Sequence, residues 1–295
     1  MRLRPLEAVN LAALGVLAAL TLLLWRRLAD PGEILLRFAL MGAFLAVVVF
    51  LTQLQRPLPK ALSIALDFYP AAFIPFVYES LGPLIAAARG GPRDDLLIAA
   101  DRAILGGDVT VLLQPYVRPG LAAFFYVAYS TYYFLPLVLG GALWAKSPAE
   151  ARRFVFTLTV CFYVSYAGYF TIPAYGPRTA LADRHTVPLE THPAARAISR
   201  TIDELEHTKL DAFPSGHTMI TVAVLIVAGR RIRKLFWFLL PVALLLIFST
   251  MYCRYHYLVD VLAGIVLAFA TVPLADRWHD HLSPEEPGRD YSSRS

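Results

Sequence analysis

The segment DAFPSGHTMI, residues 211–220, sets a proline, a serine, a glycine and a histidine directly ahead of an apolar run. A polar turn of this kind fits the mouth of a membrane helix, and the rest of the chain supports that setting. Apolar residues make up 57% of the 295 positions and charged ones only 17%, a balance outside the soluble globular range. About 20 predominantly apolar residues cross a bilayer. Eight runs approach that length, at 9–25, 34–54, 61–88, 121–145, 154–172, 218–229, 235–252 and 257–274. The sixth is short and spans only if the turn before it is partly inserted. The expectation is an all-α, polytopic transmembrane helical bundle of about eight spans.

Lysine and arginine in short loops set the orientation. KSPAEARR from Lys146 and RRIRK at 230–234 fall on one side with Arg2, Arg4, Arg56 and Lys60, which makes both termini cytoplasmic. The segment 211–220 then faces away from the cytoplasm. The first apolar run follows Arg2 and Arg4 like a signal peptide, but Trp25, Arg26 and Arg27 stand where small residues would mark cleavage, so it reads as a retained helix. Residues 90–119 mix charge with apolar stretches, as surface helices or as a connecting loop. The loop at 174–213 contains AARAISRTIDELEH, an amphipathic helix that would cap the extracytoplasmic face. Residues 277–295 read as a disordered cytoplasmic tail. Cys161 and Cys253 fall in or beside spans, so no disulfide framework is expected. The net charge of +5 sits between spans and does not point to nucleic acid.

Ionisable groups at span ends are costly and need a partner or a task. Three such places emerge on one face: IPAYGPR, ending in Arg178; FPSGHT; and STMYCRYHYLVDVLAG, residues 249–264. His256 and Asp260, four apart at a helix start, share a face, so the carboxylate can accept the imidazole Nδ1 proton and leave Nε2 as an outward lone pair. Such a ring is a nucleophile or a general base, although the same spacing also makes purely structural hydrogen bonds. Ser215 and Gly216 can turn N–H groups and a hydroxyl toward an anion at a helix N-terminus, beside His217. Arg178 and Arg254 are cations able to fork phosphate oxygens or to reach lipid headgroups. Together they make a kit for phosphoryl transfer without a metal: one imidazole attacks phosphorus, the other protonates the leaving oxygen, and arginine and the turn hold the charge.

These residues resemble the type 2 phosphatidic acid phosphatase superfamily. Pro214–Ser215–Gly216–His217 matches its second motif, and Ser249, His256 and Asp260 match its third, with Thr250 where the family carries arginine. GYFTIPAYGPR, DRAILGGD at Asp101 and YVAYSTYYFLP at Tyr126 look like the inositol phosphorylceramide synthase branch. The resemblance implies a six-helix catalytic core at 59–276, behind two extra N-terminal transmembrane helices at 1–58. It also implies His256 as nucleophile through a phosphohistidine, Asp260 as its orienter, His217 as acid and then base, and Arg178 as phosphate binder. Arg254 would replace the missing arginine. No metal or cofactor is expected. The partners expected are a membrane lipid phosphate and, for a transferase, an alcohol or lipid acceptor. Hydrolysis and transfer use the same residues. The competing readings are a lipid-binding or transport protein using the His/Asp pair as a proton relay, and a metal-dependent hydrolase.

Overall fold

Ser215 begins the central element of the protein: its side chain accepts the Thr218 N–H and starts a helix that runs Gly216–Arg231. The computed structural model describes residues 3–54, 58–205 and 208–283. Among these, every regular element is helical. In chain order they are α1 (Pro5–Leu23), α2 (Pro31–Thr52), α3 (Lys60–Phe68), α4 (Pro70–Glu79), α5 (Leu81–Arg89), α6 (Asp94–Leu105), α7 (Val109–Leu112), α8 (Pro119–Ser130), α9 (Leu135–Lys146), α10 (Pro148–Thr171), α11 (Pro177–Ala180), α12 (Pro193–Leu205), α13 (Gly216–Arg231), α14 (Arg233–Tyr252) and α15 (Leu258–Leu282).

Six stretches among the described residues are long and apolar enough to cross a membrane: α1, α2, Lys60–Arg89, α10, α14 and α15. A seventh is the pair Pro119–Tyr133 and Leu135–Lys146, bent by 40°. The protein is a multi-pass membrane protein. The remaining run of the eight, the sixth in chain order, is α13, which has 16 residues, shorter than a span, and packs against α9, α10, α14 and α15. Most of its side chains are buried, which is why it is apolar all round. Prolines break the longer runs, because proline has no N–H to donate to the preceding turn and its ring crowds that turn. Pro70 separates α3 from α4, and α9 opens with a proline in its first turn.

Three further points concern the ends and surfaces, of which the second is a correction. Residues 90–119 do form short helices, α6, α7 and a 3-10 turn Gln114–Tyr116. Helix α15 continues to Leu282, past the expected start of a tail at residue 277; residues 284–295 lie outside the described residues, as do Arg2 and Arg56. The amphipathic stretch forms α12, with residues 206 and 207 of it outside the described set. Helix α1 is tied to the core by polar contacts: the Asn10 amide donates to the Tyr69 hydroxyl at 2.6 Å and accepts from Tyr163 at 2.6 Å. Arg4 pairs with Glu7 and with Asp67, the latter at 3.2 Å.

Because α10 ends, α13 begins, α14 ends and α15 begins at the same end of the bundle, the three polar segments converge there. Lys146, Glu150, Arg153, Arg230, Arg231 and Asp276 meet at the opposite end.

Candidate active site

His256 lies in the turn between α14 and α15, where the Thr250 carbonyl accepts both the Tyr255 and the His256 N–H. Its Nδ1 bonds the Ala212 carbonyl at 2.9 Å. Asp260 stands 3.5 Å from the same nitrogen, beyond normal hydrogen-bond length, and its Oδ2 accepts the Tyr257 N–H at 2.8 Å. The expected orienting bond is thus corrected: a main-chain oxygen fixes the ring, and Asp260 caps α15 while adding a negative charge nearby. Asp260 is fully buried, and the Tyr257 N–H takes the same Oδ2 that stands nearest His256.

His217 is the second residue of α13, and its Nδ1 faces His256 Nε2 at 3.5 Å. Tyr129 and Tyr132 flank its ring, with centroids at 4.6 and 4.3 Å. The bend between α8 and α9 puts both tyrosines there. Ser215 and Gly216 do not form the open anion cradle expected of them. Ser215 is fully buried, its N–H donates to the Asp260 carbonyl at 3.1 Å, and its hydroxyl caps α13. Gly216 is needed for packing, since a Cβ would lie 2.7 Å from the Tyr169 hydroxyl. The turn sets the place of His217 rather than holding a ligand with the Ser215 hydroxyl.

Arg178 reaches the site through Gly176, whose φ of 87° and whose approach to the Tyr255 carbonyl, 2.5 Å from an added Cβ, exclude a side chain. The guanidinium donates to Asp203 at 3.0 and 3.1 Å, Glu190 at 2.8 Å, Ser199 at 3.1 Å and the Tyr255 hydroxyl at 3.1 Å. Burial alone would lower its pKa, but Tyr255, Tyr126 and the two carboxylates raise it on balance. Arg254, by contrast, is 7% exposed, has φ of 66° and donates to the Val187 carbonyl at 2.6 Å. Burial lowers its pKa. It does not line the cavity, so the expected second phosphate contact is not formed here.

His256, His217 and Arg178 line one cavity of about 490 Å³, with Tyr129, Tyr175, Asp203, Lys209, Asp211 and Tyr255 among its other walls. Asp211 accepts a hydrogen bond from Tyr78. Sequence reasoning missed Ala212, a backbone acceptor with no side-chain signal. It also missed Asp203, which sits on the amphipathic helix, and the tyrosines, whose segment had been singled out without a role. Cys161 and Cys253 are buried and free.

The sequence profile described as "PAP2 superfamily" matches residues 96–274, a stretch holding both histidines, Asp260 and Arg178. The chain belongs to the PAP2 superfamily. It is similar to undecaprenyl-diphosphatase BcrC of Bacillus subtilis (strain 168), with 30% identity over 144 residues, 48% of this chain and 67% of that protein. No solved structure matches the chain. Membership in this superfamily makes the chain a membrane phosphatase, and α1 to α5 all precede the matched region, which begins within α6.

Proposed function

We propose that the protein is an integral-membrane lipid phosphatase that breaks a P–O bond of a lipid phosphate ester through a phosphohistidine on His256. The observation that carries this reading is the meeting of His256, His217 and Arg178 on one cavity. With the Nδ1 proton given to the Ala212 carbonyl, the Nε2 lone pair is available for attack. An entering phosphate parts the two rings. His256 Nε2 bonds to phosphorus, the ester bond breaks, and His217 protonates the departing oxygen. His217 then takes a proton from the acceptor, whose oxygen attacks the phosphohistidine and frees His256. Arg178 exchanges its carboxylate partners for the equatorial oxygens, with Lys209 lining the same cavity.

The site opens away from the cytoplasm in this reading, because the basic loops gather at the other end of the bundle. With Cys161 and Cys253 replaced, cysteines at Thr186 and Ser147 test it by impermeant labelling. Labelling at Thr186 alone is expected, and labelling at Ser147 alone inverts the topology.

Water and an alcohol are both competent acceptors. Residues of the 174–213 segment, Tyr175, Thr179, Asp203 and Lys209 among them, supply polar cavity wall that suits a hydroxyl-bearing acceptor, and the branch resemblance favours inositol or a second lipid. The Bacillus relative is named for undecaprenyl diphosphate, so a polyprenyl diphosphate joins phosphatidic acid and phospholipid donors in the substrate screen. Purified protein is expected to release phosphate from at least one, or to pass the phospho group to added inositol. His256→Ala should abolish turnover while the protein stays folded, and activity should survive excess chelator. Near-normal turnover in His256→Ala, or chelator loss reversed by magnesium or zinc, overturns the mechanism.

A further inference from the structure

Helix α6 lies outside the membrane-crossing set yet reaches both walls of the cavity. Asp94, in its first turn, accepts the Tyr175 N–H at 3.0 Å, the Gly176 N–H at 2.9 Å and the Tyr257 hydroxyl at 2.9 Å. Asp101 accepts the Leu258 N–H at 2.9 Å and the Val259 N–H at 2.8 Å. Asp94 therefore holds the turn that delivers Arg178, and Asp101 holds the start of the helix that follows His256. The two carboxylates are two helical turns apart and so share a face, about 10 Å along the axis.

We propose that Asp94 and Asp101 are positioning residues of the active site, and that α6 acts as a rigid bar fixing the separation between Arg178 and His256. The proposal rests on the phosphatase reading above. The donors at the start of α15 have no partners inside that helix. A serine or asparagine from the chain itself satisfies most helices at this point. Here the Tyr257 N–H goes to Asp260, while the next two N–H groups go to a carboxylate from a different element, 1% exposed. Enclosing a carboxylate is costly, and burial raises the Asp101 pKa even though the two N–H bonds lower it. What the costly arrangement gains is reach: both hooks stand on one helix, and Oδ1 of Asp94 touches the Arg178 turn and Tyr257 at once. Attack on phosphorus is sensitive to misplacement of about 1 Å, which costs on the order of a hundredfold. A bar between the binding arginine and the nucleophile controls that distance.

The two hooks predict different kinetic signatures. Asp101→Asn keeps one acceptor but turns an amide N–H₂ toward the second donor. It should lower kcat by about tenfold to a hundredfold with KM within about twofold. Asp94→Asn loosens the arginine turn and should raise KM by about tenfold, with a smaller loss in kcat. Tyr257→Phe removes one contact to Asp94 and serves as the mild variant should either substitution fail to fold; about a threefold loss in kcat is expected. Hydrogen exchange of the full-length protein in detergent gives a readout independent of substrate. Protection should fall at Leu258 and Val259 in Asp101→Asn, and at Tyr175 and Gly176 in Asp94→Asn. If wild type is active and all three variants keep both constants within twofold, the positioning role is overturned. If wild type acts on no phosphate lipid, the phosphatase reading fails by itself, and unchanged exchange at those four amides overturns the bar.

Discussion

Arg178 and Arg254 occupy adjoining turns, joined where the Arg178 N–H donates to the Arg254 carbonyl at 2.8 Å, yet their side chains have opposite fates. Arg178 projects into the cavity and is held by carboxylates, which a phosphate can replace like for like. Arg254 folds back under the 184–187 loop and gives its charge to one neutral carbonyl. The same loop is gripped from the other side by Gln114, whose Oε1 accepts the Thr186 and Val187 N–H groups at 2.8 and 3.1 Å. Two cations in the same polar region thus divide into a cavity-facing group and a loop fastener. The backbone turn that carries each one decides which it becomes.

The sharpest way to break this comparison is to remove each charge. Arg178→Ala should lower kcat/KM for a lipid phosphate by about a hundredfold to a thousandfold, and Arg178→Lys should recover only part of that because lysine cannot fork two oxygens. Arg254→Gly loses the bond to Val187 but relieves a left-handed backbone that costs a side-chain-bearing residue about 1 kcal/mol. Its turnover should stay within about threefold of wild type. Equal losses in the two variants would mean that both arginines meet the phosphate. A smaller effect tests the carboxylates: Asp203→Asn frees Arg178 of one competitor and should lower KM by about threefold. A rise in KM would instead place Asp203 on the substrate side of the arginine.

The smallest effect concerns His185, whose Nε2 meets the Thr110 hydroxyl at 2.9 Å. Burial first, and then Arg254, push its pKa down to about 4, against a weaker pull from Asp183 and Asp108. The folded state therefore prefers the neutral ring. Its contribution to stability is complete above the unfolded value of about 6.5 and is lost as pH falls toward 4. His185→Gln should reduce the loss of thermal stability between pH 7 and pH 4.5, with little change at pH 7. An identical pH profile for both proteins would show that this ring does not report the loop.

Much of this was legible in residue order. Hydropathy marked where the helices run, and the three polar segments that share one face do converge on the cavity. The spacing of His256 and Asp260 correctly brought the two side chains near each other, although His256 precedes the helix, but spacing could not show that the Ala212 carbonyl, 44 positions away, arrives closer. Ser215 was recognisable as a helix-starting residue, whereas its complete burial depends on α15, whose Gly264 packs so tightly that a Cβ would lie 2.7 Å from the Ser215 carbonyl. Acidic residues on α12 and α6 read as ordinary amphipathic surface, because pattern alone does not say which polar groups a neighbouring loop will use.

The 16 residues of α13 rise about 24 Å, while the hydrocarbon layer is about 30 Å thick. With Arg230 and Arg231 anchored at one boundary, the first turn of the helix stops roughly 6 Å inside the other. The imidazoles of His217 and His256, proposed above to react, would therefore lie a few ångströms below the glycerol level, within reach of a headgroup that dips inward rather than in open water. A lipid can bring its headgroup to them by sliding sideways, with its chains still dissolved in the bilayer.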